Sequence, residues 1–245
     1  MNKSSSLVYG LRAVLETIKS GQHLERIFLQ KNLKGDVVKE LMYEIHRSGT
    51  PLSKVPVERL HKLTKKNHQG VVALSSPIQY HTIEYLVPEI YEKGESPFFL
   101  ILDEITDVRN FGAIARSAEC FGVHGMIIPI KGSAQINEDA IKTSVGALNY
   151  LPVCRTMQLV STVEFLQSSG IKVVACSEKG SKTIKEVDYQ GPIAIVMGSE
   201  EHGISNEVMN LADEIVQIPM TGEVASLNVS TASGIILYEA TRQRS

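Results

Sequence analysis

Residues 98–122 read FFLILDEITDVRNFGAIARSAECFG. FFLILD is a continuous apolar run, which predicts a strand of a parallel sheet covered on both faces. A polar turn follows, and NFGAIARSAECFG predicts a helix with Asn110 at its start and Arg116 about two turns along. The stretch therefore predicts a strand–loop–helix unit. In a parallel α/β domain, loops at the carboxyl ends of strands carry the functional residues.

Downstream the pattern repeats. VHGMIIP, IKVVACS, PIAIVMG and EIVQIPM predict strands, and NEDAIKTSVGAL, STVEFLQSSG, ISNEVMNLA and the closing stretch predict helices. Upstream the elements are smaller. LVYGLRAVLETIKSG predicts a helix ended by Gly21, GDVVKELMYEIHRSG a helix ended by Gly49 and VERLHKLT a short helix, while LERIFLQ, LSKVP and GVVALSS predict strands. Prolines at 77, 88 and 97 punctuate the join, where no strong strand pattern stands. The expected organisation is a small α/β sandwich over 1–78, a linker over 79–96 and a larger, mostly parallel α/β domain over 97–245.

Charge divides at the same place. Residues 1–78 hold 13 Lys and Arg against 6 Asp and Glu, and residues 79–245 hold 12 against 21, so +7 faces −9 within a chain of net charge −2. A short basic module beside an acidic one suggests a polyanionic partner, with nucleic acid the natural candidate and ordinary solvated helix faces the plainer alternative. With 245 residues and 43% hydrophobic content the chain is globular. Nothing approaches a membrane span or a signal peptide, so a cytoplasmic location is expected. Cys120, Cys154 and Cys176 are scattered without C-x-x-C pairing, which argues against a disulfide framework and a zinc site, and no metal is expected.

Three loops are unusually polar: EITDVRN after FFLILD, SEEHG after IAIVMG, and TGEVASLNVSTASG after EIVQIPM. No G-x-G-x-x-G follows a strand and no G-x-x-x-x-G-K-[ST] occurs, which disfavours an oxidoreductase with a dinucleotide fold or an NTPase. In order and spacing, ILDEITDVRNFGAIARSAECFG, IVMGSEEHGI and IPMTGEVASLNVSTASGIILYEA resemble the three motifs of the SpoU-type ribose 2'-O-methyltransferases of the SPOUT superfamily. NHQGVVA at 67–73 is similar to the junction found in the branch that methylates a guanosine of 23S ribosomal RNA, where the first module resembles ribosomal protein L30e and binds RNA. The resemblance spans almost the whole chain.

What the resemblance implies is specific. The last segment is expected to thread a loop and form a deep trefoil knot, against the general rule that chains do not thread. S-adenosylmethionine is expected among the three loops, against Gly198, Ile218 and Leu227 and largely through backbone groups, with Gly198 allowing close approach. A homodimer formed by the second domain is also implied.

A ribose 2'-hydroxyl is a poor nucleophile, so a site must stabilise its developing charge, aim it at the sulfonium methyl and exclude water. Arg116 suits the first task as a fixed, planar cation, because arginine effectively never deprotonates and base action is the weaker role. Asn110, Ser226 and Asn228 are expected to orient by hydrogen bonds, and Glu200 to fix Arg116 or a loop backbone. Asn110 and Asn228 also stand where helix caps are expected. His124 and His202 are read as satisfied or surface histidines. A transfer-RNA ribose methyltransferase and a non-catalytic RNA-binding protein are the competing readings.

Overall fold

The computed structural model describes residues 7–224 and 226–244, so residues 1–6 of the expected first domain, Ala225 and Ser245 lie outside the described residues. The chain divides into two compact units, Met1–Gln79 with Ile136–Glu138, and Tyr80–Gln135 with Asp139–Ser245.

The first unit runs β1 (Leu7–Tyr9), α1 (Leu11–Lys19), β2 (Leu24–Gln30), α2 (Asp36–Ser48), β3 (Leu52–Val55), α3 (Val57–Leu63) and β4 (Val71–Ser75). Its sheet has the order β1-β4-β2-β3, with β4 antiparallel to β1 and β2, and β3 parallel to β2. Val14, Leu15 and Ile18 of α1 and Leu41 and Ile45 of α2 close on Ile27 and Leu29 of the sheet. The expected single helix over 7–21 is corrected here. Gly10 takes φ 94°, which a side chain resists, and so Leu7–Tyr9 turns away as a strand on β4 before α1 begins.

The second unit runs β5 (Tyr80–His81), α4 (Ile83–Glu92), β6 (Phe98–Asp103), α5 (Val108–Cys120), β7 (Gly125–Pro129), α6 (Glu138–Thr143, of which Glu138 is grouped with the first unit), β8 (Val153–Thr156), α7 (Leu159–Ser168), β9 (Lys172–Cys176), β10 (Lys182–Thr183), β11 (Ile193–Gly198), α8 (Asn206–Leu211), β12 (Glu214–Gln217) and α9 (Val229–Arg244). Its eight strands pair in the order β10-β12-β9-β11-β6-β7-β8-β5, every pairing parallel. All six residues of β6 are buried, as its continuous apolar run requires.

The segment 79–96 is not a free linker. Tyr80–His81 pairs with Val153–Cys154, and α4 buries Ile83, Leu86, Val87 and Ile90 against Phe99, Ile101 and Val163. Its prolines mislead because Pro88 sits inside α4 without ending it. On the other face α5 and α9 pack together, and the Arg244 guanidinium of α9 lies 5.0 Å from the Phe98 ring centroid. Arg244 also donates to the carbonyls of Ser96 and Tyr189, both at 2.7 Å, which fastens the end of α9 to two loops.

Candidate active site

Three strand ends supply the site. After β6, Asp107 caps α5 by accepting from the amides of Arg109 (2.9 Å) and Asn110 (2.8 Å), so the helix starts earlier than the sequence reading placed it. Asn110 is thereby freed from capping and stands in the first turn. After β12, Asn228 caps α9, its Oδ1 accepting from Ser230 N at 3.0 Å and Thr231 N at 3.4 Å. The cap reading of Asn228 holds, and its Nδ2 also donates to Asn110 Oδ1 (3.0 Å) and Glu200 Oε1 (2.5 Å). Glu200, from the loop after β11, also accepts from Asn110 Nδ2 (3.3 Å) and Val229 N (3.1 Å). One carboxylate thus ties together loops distant in sequence, through charge-assisted bonds that fix both amide side chains.

The cluster stands beside two cavities. The first, of about 480 Å³, is lined by Gly198, Ile218, Ser226 and Leu227 among others, and the second, of about 390 Å³, by Glu104, Asp107 and Asn110. Glu200 and Val229 line both. The first volume is in the range of small-molecule sites, about 300–1,000 Å³. Gly198 is required by the chain itself: a Cβ there would collide with the backbone of Gly203 and Ile204. That loop folds back on itself through reciprocal bonds between Ser199 and Gly203, at 3.1 and 2.9 Å. Cys176 lines the first cavity too. Burial, with the Glu178 carboxylate adding, pushes its thiol up to about 12, so it stays neutral and a poor nucleophile.

A family model described as the SpoU rRNA Methylase family matches residues 97–238, and one described as RNA 2'-O ribose methyltransferase substrate binding matches residues 7–81. The chain belongs to the SpoU rRNA methylase family. Among SpoU relatives, YacO of Bacillus subtilis, provisionally named a TrmH family tRNA/rRNA methyltransferase, is 34% identical over 100% of this chain and 98% of its own length. The 23S rRNA (guanosine-2'-O-)-methyltransferase RlmB of Escherichia coli is 35% identical, with 98% of this chain and 100% of RlmB covered. The crystal structure of the SpoU methyltransferase AviRb from Streptomyces viridochromogenes, in complex with AdoMet, superposes with a TM-score of 0.61 at 27% identity, covering 97% of this chain and 90% of that one.

Against the SpoU motifs, the expected cofactor residues Gly198, Ile218 and Leu227 share one cavity with Ser226, and Asn110, Glu200 and Asn228 form one bonded cluster. Arg116 joins neither. It is exposed on α5, lines neither cavity and stands six residues after Asn110, about 120° round the helix. Of the two expected partners, Arg116 or a loop backbone, Glu200 takes the backbone within this chain, accepting from Val229 N as well as from Asn110 and Asn228. His124 is satisfied, 2.8 Å from Glu95 and accepting from Phe98 N at 3.0 Å, and His202 is exposed. No group of three metal-ligating side chains occurs among the described residues. Sequence reasoning missed Asp107, although an aspartate directly before an amphipathic run is a recognisable cap. It also missed Asp103, buried at the end of β6, which accepts from Ser205 N at 2.8 Å and anchors the return of the Gly198 loop.

Proposed function

We propose that this chain methylates the ribose 2'-hydroxyl of a guanosine in 23S ribosomal RNA, with S-adenosylmethionine as methyl donor. The observation that carries the reading is the Glu200 cluster between two adjoining cavities, one of cofactor size and one lined by Asn110. The substrate-binding match over 7–81, the +7 excess of the first 78 residues and the resemblance to RlmB support RNA, and ribosomal RNA in particular, as substrate.

The residues present fit the donor. Ile218 and Leu227 offer apolar walls, and the backbone around Gly198 offers fixed polar groups at the carboxyl end of a parallel strand. Bound there, S-adenosylmethionine supplies an electrophilic methyl group on a sulfonium. The chain's own residues do the rest: the second cavity receives the ribose, and Asn110 and Asn228, held by Glu200, orient it with Ser226 beside them. Orientation of this kind is a large part of catalysis for a weak nucleophile. The C-terminal segment carrying Ile218, Leu227 and α9 forms the trefoil knot that packs these loops together.

Arg116 stabilises the charge growing on the 2'-oxygen and holds the neighbouring phosphate. Since it lines neither cavity of its own chain, it acts in a homodimer, reaching the site of a second copy. The exposed Ile235 and Tyr238 of α9, the helix that packs on α5, form the apolar part of that interface.

The test is direct: tritiated S-adenosylmethionine is incubated with the protein and total RNA from a strain lacking its gene, and the label is mapped. Label on the 2'-oxygen of a 23S guanosine is expected. Label on transfer RNA would establish the alternative carried by the name of YacO, and label on no RNA would leave an RNA-binding protein.

A further inference from the structure

A third cavity, the largest of the three at about 660 Å³, continues the row along the carboxyl ends of the strands. It is lined by the ends of β6 and β7, the turn between β8 and α7, and α8. Glu104 lines both it and the central cavity, so the two are neighbours across one residue. That residue has φ 57°, a left-handed backbone uncommon outside glycine, and such strain gathers at functional sites.

The lining is mixed. Pro129, Leu159 and Val208 offer an apolar floor with Met157 exposed at its edge, while Glu104 and Glu207 offer exposed carboxylates that carry no hydrogen bond or ion pair among the described residues. The third acid, Asp103, is already engaged with Ser205 N. Lys131 supplies a cation at the rim. Free carboxylates repel phosphate, so this is no backbone-binding groove. An apolar floor with acceptor-only groups suits a flat ring whose edge carries hydrogen-bond donors. Of the RNA bases, guanine alone offers two adjacent donors on its Watson–Crick edge, N1–H and the N2 amine, which a carboxylate can accept together.

We propose that this third cavity is the base-binding subsite of the methylated nucleotide, and that Glu104 and Glu207 select guanine by accepting from its N1–H and N2 amine. The inference rests on the methyltransferase reading and adds the group that reads the base. The nucleotide is splayed out of its helix, as single-stranded RNA recognition requires, with ribose in the central cavity and base in the third. A site that accepts from both donors loses one charge-assisted bond when a donor is missing.

The test uses the full-length protein and a short RNA spanning the mapped position, with either guanosine or inosine there, since inosine lacks the N2 amine. The native chain is expected to methylate the guanosine RNA with a kcat/KM roughly 10-fold or more above the inosine RNA. In the double variant Glu104→Gln with Glu207→Gln that preference should fall below about twofold, while calorimetric titration with S-adenosylmethionine is unchanged. The single variants assign the effect to one acid or both. A native preference absent from the start, or kept intact in the double variant, overturns the subsite. A double variant that no longer binds S-adenosylmethionine also overturns it, since the two acids would then be structural. No methyl transfer by the native chain to any RNA is failure of the underlying reading and removes the subsite with it.

Discussion

Arg116→Ala is expected to leave S-adenosylmethionine binding nearly intact and to lower methylation roughly 100-fold or more, the scale of losing a donor to a transition-state charge. Arg116→Lys should recover part of the rate, because charge survives but the planar fork does not. Single-turnover methylation across pH, beside calorimetric cofactor titration, checks both. An unmoved pH profile is expected, and a profile that shifts with the lysine would make residue 116 a base instead. Asn110, Glu200 and Asn228 were legible as candidates because the resemblance to the SpoU motifs picked them from polar loops that follow strands in the sequence. Their bonding pattern was not. Glu200 has no sequence cue separating an arginine partner from two amides and a backbone N–H, and only the placement of Asn228 Nδ2 at 2.5 Å decides it.

Among elements, apolar strands and amphipathic helices were readable, even the four-residue strands Leu52–Val55 and Glu214–Gln217, but two short strands at one side of the main sheet were not. Tyr80–His81 is too brief for any period to show and Val153–Thr156 is only half apolar, and each pairs along the edge its neighbour offers. The NHQG turn before β4 makes a separate demand. His68 is buried, and its Nδ1 accepts from Gly70 N at 3.0 Å, which only the neutral ring can do. Burial, and then the nearby His61, hold its pKa below the ordinary histidine value. The folded unit therefore binds fewer protons than the unfolded chain, and stability is present above a pH of about 6.5 and lost as pH falls below it. The thermal midpoint should drop between pH 7 and pH 5, and His68→Gln should flatten that drop. An equal slope in the variant would remove His68 from the acid sensitivity.

For the whole molecule, the absence of Arg116 from the lining of either cavity makes mixing the decisive measurement. Arg116→Ala and Asn228→Ala chains are each expected to be nearly inactive. Unfolded and refolded together in equal amounts, they should regain about a quarter of native activity, since half the dimers would be mixed and each would hold one complete site. No recovery, or a monomer by light scattering at micromolar concentration, would place Arg116 at its own chain's site. The two-part architecture and the parallel sheet were foreseeable from charge and apolar runs, because both are written in local composition. The homodimer was expected from the family resemblance alone, because no local pattern of composition marks a subunit interface.

The central pairing of the sheet also has a history. β6, at 98–103, takes β7 on one side soon after synthesis, but its other neighbour is β11, at 193–198. At about 5–20 residues/s, translation leaves that edge of a wholly apolar strand bare for on the order of 5–20 s. Such an edge is a template for pairing with other chains. The same register that sets Gly198 beside Asp103, and so builds the site, obliges the ribosome-bound chain to wait with its stickiest strand uncovered, which makes the nascent protein a natural client for chaperones that hold exposed apolar segments.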